Sequence, residues 1–259
     1  MESDPKTLKR IDVWLVDRGF APSRTKAQEL INEGQVSLCF KATADQWSVV
    51  LSASQRIPED FPLAKIKVEG AEVLKYVSRG GRKLDSALRQ LNIDVRGLRI
   101  LDLGQSTGGF TDCVLQMGAA HVDGVDVGTG QLDPKLQNDP RIRSFEQLHL
   151  KDLSAHPKFM GQRYDLTICD LSFISSLTQL HFILGWSPSL LLLVKPQFEL
   201  GPEALDKKGL VQKTDLISDL KARFGEQIQA GGFRMDAWIP SGLPGKDGNQ
   251  EYFLHALQI

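Results

Sequence analysis

Leu101-Asp102-Leu103-Gly104-Gln105-Ser106-Thr107-Gly108-Gly109-Phe110 is the stretch that decides the fold. It reads as the end of an apolar strand, a glycine-rich turn and the start of a helix. Working outward, strands are predicted at Arg99–Leu103, His121–Asp126, Leu166–Asp170 and Leu190–Lys195. Each is a nearly continuous apolar run, which fits a parallel sheet covered on both faces. Helices are predicted at Phe110–Met117, Ser175–Leu184 and Thr214–Ala230, between or after those strands. Leu84, Ala87, Leu88 and Leu91 add an amphipathic helix ahead of the first strand. Arg234–Ile239 and Glu251–Gln258 read as closing strands able to pair antiparallel across a loop rich in glycine and proline.

Upstream the pattern differs. Leu8, Ile11, Val13, Trp14 and Leu15 give one short helical face that Gly19 stops. Ser23 is placed to cap a second helix over Arg24–Asn32, with Ala27, Leu30 and Ile31 inward and Gly34 at its end. Val36 with Leu38, and Ile66 with Val68, alternate as short strands; Asp45–Asp60 is harder to read, with Trp47, Val49 and Leu51 alternating before Pro58 and Pro62. The expected fold class is α/β: a doubly wound, Rossmann-like sheet with a small N-terminal α/β domain. Boundaries are expected at 1–70 for the small domain, 71–77 for a linker and 78–259 for the large one.

The 259 residues are 41% hydrophobic and 24% charged, with a formal net charge of −1, so global charge does not announce a nucleic-acid binder. Any RNA contact must come from a local basic face, and Lys65–Arg99 offers one that includes Arg79, Arg82 and Lys83; a solvated surface explains the same residues. Cys39, Cys113 and Cys169 are far apart and odd in number, which predicts reduced thiols in a cytoplasmic protein with no disulfide framework and no metal site. Met1–Pro5 lacks a signal-peptide pattern, and the apolar run Leu190–Val194 is too short to span a bilayer.

A strand–glycine turn–helix unit binds nucleotides at the carboxyl edge of a parallel sheet. The spacing departs from GxGxxG, because Ser106 stands where the second glycine lets backbone approach a pyrophosphate. A cofactor without phosphates, such as S-adenosylmethionine, relaxes that demand. A nicotinamide dinucleotide and a tight turn that binds nothing are the competing readings. Asp126 ends the next strand about 20 residues on, where an acid can take ribose hydroxyls. Asp170 and Lys195 end apolar strands, Glu251 opens the last one, and Lys83 lies early in a helix. Alone, each is an ordinary solvated element end. Together at one edge they suit removal of a proton from a sugar hydroxyl held in line with a methyl donor.

Ser78-Arg79-Gly80-Gly81-Arg82-Lys83-Leu84, Ser106-Thr107-Gly108-Gly109-Phe110-Thr111-Asp112, Val125-Asp126-Val127-Gly128, Val194-Lys195-Pro196-Gln197-Phe198-Glu199 and Asp247-Gly248-Asn249-Gln250-Glu251 resemble the TlyA ("hemolysin A") family of ribosomal RNA 2′-O-methyltransferases, related to the FtsJ type. The resemblance implies a tetrad in which Lys195 is the base, Asp170 its partner, and Lys83 and Glu251 orient. It implies S-adenosylmethionine as cofactor, held by Asp102, Gly104, Ser106, Gly108, Gly109, Phe110, Asp126 and, on the adenine side, His149. Arg10-Ile11-Asp12, Arg18-Gly19, Ser23-Arg24 and Gly34-Gln35-Val36 are similar to a small RNA-binding domain shared by a ribosomal protein, pseudouridine synthases and tyrosyl-tRNA synthetases. That likeness makes Arg10, Arg24 and Lys26 the expected phosphate contacts, joined by Arg79 and Arg82. The expected partner is ribosomal RNA or a ribosomal subunit, approached by a monomer without a metal or a membrane.

The sequence departs from this family at Gln105, where alanine is usual, at His149 and Lys151, and across Cys39–Ala53, where a short Asn-Gly turn is usual. A non-catalytic RNA-binding or ribosome-assembly factor is therefore the rival reading. A membrane-lytic role is a third, which the absence of a spanning or strongly basic amphipathic segment in the sequence argues against.

Overall fold

The computed structural model describes residues 7–40, 46–212 and 215–259, in two compact units that divide between Tyr76 and Val77. In the first unit, β1 (Leu8–Arg10) leads into α1 (Ile11–Asp17) and α2 (Arg24–Asn32). There follow β2 (Val36–Leu38), β3 (Ser48–Val49), β4 (Arg56–Pro58), β5 (Ile66–Val68) and α3 (Ala71–Leu74). Ile11, Trp14 and Leu15 of α1 and Ala27, Leu30 and Ile31 of α2 are buried against Val36, Leu38 and Ile57. Ser23 caps α2, its hydroxyl accepting from the Lys26 amide at 3.3 Å.

Leu8 does not begin the first helix. Leu8–Arg10 pairs antiparallel with Arg56–Pro58, and the Ile11 amide is taken by the Gln55 carbonyl at 2.8 Å. The helix starts only beyond that pairing, where the Asp12 carboxylate accepts from the Val13 amide at 2.9 Å. Residues 71–77, expected as a linker, contain α3 and the point where the units divide.

The second unit opens with α4 (Arg79–Gln90), β6 (Arg99–Leu103), α5 (Gly109–Gln116), β7 (His121–Val125) and β8 (Ile142–Phe145). It continues with β9 (Leu166–Cys169), α6 (Ser176–Ile183), β10 (Ser189–Val194), α7 (Pro196–Glu199), α8 (Leu216–Ala230), β11 (Phe233–Pro240) and β12 (Tyr252–Gln258). The sheet runs β11-β12-β10-β9-β6-β7-β8. β6 to β10 are parallel, and β12 is inserted antiparallel between β10 and β11. Leu190 to Val194 are buried, as a strand covered on both faces requires. Leu220, Phe224 and Ile228 of α8 complete one core layer.

Strand order reverses between β6 and β9, so the connections leaving these strands open a crevice at the carboxyl edge. β8 has no counterpart among the predicted strands: it is the sheet's edge, half exposed, and carries Arg143 and Ser144 instead of an apolar run. The predicted start of the last helix at Thr214 lies outside the described residues, and α8 begins at Leu216.

Candidate active site

The strand exits converge at the carboxyl edge. β6 runs into Gly104, whose φ of 83° suits a residue without a side chain. A Cβ at Gly104 would collide with the Asp170 carbonyl oxygen. Asp170 directly follows β9, and its amide donates to the Leu103 carbonyl at 2.9 Å. Lys195 directly follows β10. Glu251 directly precedes β12, one register step beyond the Val194–Tyr252 pair, and so lies beside Lys195. Lys83 arrives from α4, which packs closely on α5: a Cβ at Gly109 would overlap the Ser78 hydroxyl and stand 3.1 Å from the Gly81 nitrogen.

Lys83 Nζ donates to Glu251 Oε2 at 2.6 Å. Lys195 Nζ stands 2.6 Å from Asp170 Oδ1, an ionic contact, and directs a hydrogen bond of 2.7 Å to Ser172 Oγ. Lys83 and Lys195 are each 8% exposed and Glu251 3%, so water screens the Lys83–Glu251 pair little, whereas Asp170 lies partly open. The four charged residues singled out in the sequence stand together as two neighbouring ion pairs.

The glycine turn is braced by acids. Asp126, just past β7, accepts from the amides of Ser106 and Gly128, each at 2.7 Å, and holds Ser106 at a φ of 46°. Asp102 on β6 is fully buried. Its Oδ2 accepts from the Thr111 hydroxyl at 2.6 Å, while Oδ1 has no hydrogen-bond partner. Burial, with added repulsion from Asp170 and Asp126, pushes its carboxyl up to about 7. Gln105 is buried over Gly124, accepting from Ser144 at 2.6 Å and donating to Thr111 at 3.0 Å. It therefore belongs to the wall of the site. The Phe110 ring is also committed to the interior, stacked on Phe253 with centroids 6.1 Å apart, so only its backbone could meet a cofactor. Gly108 immediately precedes α5 as its N-cap, and His149 is exposed beyond β8.

These residues fit S-adenosylmethionine. An unpartnered buried carboxylate oxygen at Asp102 suits an ammonium group, and Asp126 at a strand end suits ribose hydroxyls. A separate cavity of about 330 Å³, lined by Phe159, Phe182 and Trp186 ahead of β9 and β10, includes none of the site residues.

The elevated carboxyl of Asp102 has a testable consequence. Between about pH 4 and 7 the folded protein keeps a proton that the unfolded chain releases, so this group's contribution to stability is lost as pH rises through 7. The shift corresponds to on the order of 4 kcal/mol. Asp102→Asn is expected to remove that fall, seen as a stability difference between variant and wild type that grows in the variant's favour from pH 5 to pH 8 in urea titrations.

In the first unit, the buried Asp12 carboxylate gathers Arg10 through two bonds of 3.0 Å, Arg24 at 3.1 Å and Gln28 at 2.9 Å. Burial raises its pKa, but these hydrogen bonds outweigh that and hold it well below the ordinary carboxylate range. The Arg10 and Arg24 side chains remain 41% and 56% exposed, fixed at one end and open at the other. Lys26 is a correction. Its ammonium is buried, donating to Glu29 at 2.7 Å and to the Val73 carbonyl at 2.9 Å, so it ties α2 to α3 and is not presented to a phosphate. Arg79 donates to the Pro244 carbonyl at 3.3 Å, and Arg82 is half-buried. Ser172 and Glu199, to which the sequence assigns no role although Glu199 ends one of the family-like motifs, also belong to this edge.

A family model described as FtsJ-like methyltransferase matches residues 76–257, and one described as S4 domain matches residues 9–38. The 16S/23S rRNA (cytidine-2′-O)-methyltransferase TlyA of Mycobacterium tuberculosis is 39% identical over 249 residues, covering 95% of this chain and 88% of that protein. The 23S rRNA (cytidine-2′-O)-methyltransferase TlyA of Campylobacter jejuni is 33% identical over 254 residues, covering 95% and 98%. The solved structure of a candidate hemolysin from Streptococcus thermophilus superposes with a TM-score of 0.70 at 32% identity, covering 98% of this chain and 90% of that one.

Proposed function

The chain belongs to the TlyA group of FtsJ-like methyltransferases with an S4 domain, and from that premise we propose that it transfers the methyl group of S-adenosylmethionine to a ribose 2′-hydroxyl of ribosomal RNA. The observation that carries the reading is the adjacency of the Lys83–Glu251 and Lys195–Asp170 pairs beside the glycine turn. S-adenosylmethionine supplies an electrophilic methyl group when bound. Asp102, the Gly104–Gly109 turn and Asp126 would hold it.

A ribose hydroxyl attacks only as it loses its proton. Lys195 in its neutral form is the group to take that proton, and Asp170 holds the amine at the crevice. Lys83 and Glu251, locked together, orient the sugar with one donor and one acceptor. Alignment of the oxygen with the methyl carbon supplies much of the acceleration, and burial of the pairs preserves that alignment. On the RNA side, Arg10 and Arg24 offer guanidinium edges to phosphates, where such contacts position without reading sequence.

The test is transfer of tritiated methyl from S-adenosylmethionine to naked rRNA, separated subunits and whole ribosomes by the purified protein. Incorporation into at least one of these is expected. Cofactor binding in isothermal titration with no incorporation into any of them would favour the non-catalytic RNA-binding factor.

A further inference from the structure

Ser172 is a second ligand of the Lys195 ammonium, accepting its directed hydrogen bond at 2.7 Å. The connection that carries Ser172 is fastened at its far end. Glu199 Oε2 accepts from the Ser175 hydroxyl at 2.5 Å, and Oε1 accepts from the Ser176 amide at 2.7 Å and the Ser176 hydroxyl at 2.5 Å. Glu199 ends α7, the single turn that starts immediately after Lys195. The exits of β9 and β10 are thus tied twice, once through Lys195–Ser172 and once through Glu199–Ser175/Ser176. Between the ties, Phe173 is held at a φ of 65°, a conformation costly for a bulky residue and kept only where surrounding bonds impose it.

We propose that Ser172 is a positioning residue for Lys195, held in register by Glu199. This rests on the proposed role of Lys195 in methyl transfer. A lysine ammonium has three donors on a flexible four-carbon stem. With Asp170 alone, the amine can swing about one contact. The directed bond to Ser172 adds a second restraint to the ionic contact with Asp170, so that in the neutral form the nitrogen is held in place with its lone pair free for the ribose proton. The local sequence does not show the contact this serine makes, because its partner stands 23 residues further on.

The experiment compares wild type, Ser172→Ala, Ser172→Cys and Ser172→Thr in steady-state methyl transfer to rRNA, with S-adenosylmethionine affinity measured by titration. Alanine removes the hydroxyl, cysteine keeps its volume with a poor acceptor, and threonine keeps the acceptor. The alanine and cysteine variants are expected to lose about 10- to 100-fold in kcat, with KM for RNA and cofactor affinity unchanged. Threonine is expected to restore kcat to within about threefold. A cysteine variant at the wild-type rate, or a threonine variant as slow as cysteine, overturns the positioning role. If wild type transfers methyl and Lys195→Ala does not, such a result counts against Ser172 alone. If wild type transfers nothing, both readings fall.

Discussion

Lys195→Ala is expected to lower methyl transfer by about 10²- to 10⁴-fold, the range for loss of a positioned general base, while S-adenosylmethionine affinity stays within a few-fold. The asymmetry follows from the geometry. Lys195 leaves β10 at the carboxyl edge, and its amine contacts Asp170 ionically and Ser172 by a hydrogen bond, neither of which lies in the Gly104–Gly109 turn. Removing the amine takes away the proton acceptor and leaves the glycine turn, Asp102 and Asp126 as they stand. The fold should lose less than it would at a fully buried pair, because the Asp170 side chain is 26% exposed, although Oδ1, the oxygen that faces the amine, is buried. Single-turnover transfer and titration calorimetry on the same preparation separate the two effects. A variant that transfers at the wild-type rate would remove Lys195 from the chemistry. One that loses cofactor binding in parallel would move it to a binding role.

Glu251→Ala is expected to cost both activity and stability. The Lys83 and Glu251 side chains are 10% and 4% exposed, so truncating the acid strands an ammonium among buried groups. Breaking a buried pair by removing one partner costs roughly 3–5 kcal/mol. For a unit of this size that lowers the melting temperature by on the order of 10 °C. The double variant Lys83→Met/Glu251→Leu separates the two losses, since apolar replacement of both members is often neutral or stabilising. It is expected to melt near the wild-type temperature and to remain inactive. Calorimetric melting with the transfer assay checks both halves. An active double variant would make the pair purely structural, and a Glu251→Ala protein as stable as wild type would contradict the buried pairing.

The two losses differ in how visible their causes are in the chain. Asp170 and Lys195 can be read because each is a charge ending an apolar run, and a strand buried on both faces shows itself as such a run. Lys83 and Glu251 can be singled out as residues, but their contact spans 168 positions, and no local pattern encodes it. The same limit hides β1 and β4, three-residue strands that pair across 46 to 50 positions, so that Leu8 reads as helix. β8 is hidden for another reason: an edge strand needs no continuous apolar face. Lys26 shows the opposite failure. A lysine near a helix start reads as solvent-facing, yet the Val73 carbonyl and Glu29 satisfy its ammonium in the interior. Gln105 likewise reads as an intrusion beside the cofactor, but its side chain turns into the sheet, over Gly124 and between Ser144 and Thr111.

The central claim is that paired amines and carboxylates at the sheet's carboxyl edge direct a methyl group onto a sugar oxygen. Alkaline hydrolysis of rRNA labelled by the purified protein tests it most directly, because a 2′-O-methyl group blocks cleavage of the adjacent phosphodiester. Label in an alkali-resistant dinucleotide, present with wild type and absent with Lys195→Ala, is the expected result. Label released on a mononucleotide base, or an alkali-resistant product formed equally well by Lys195→Ala, would contradict it.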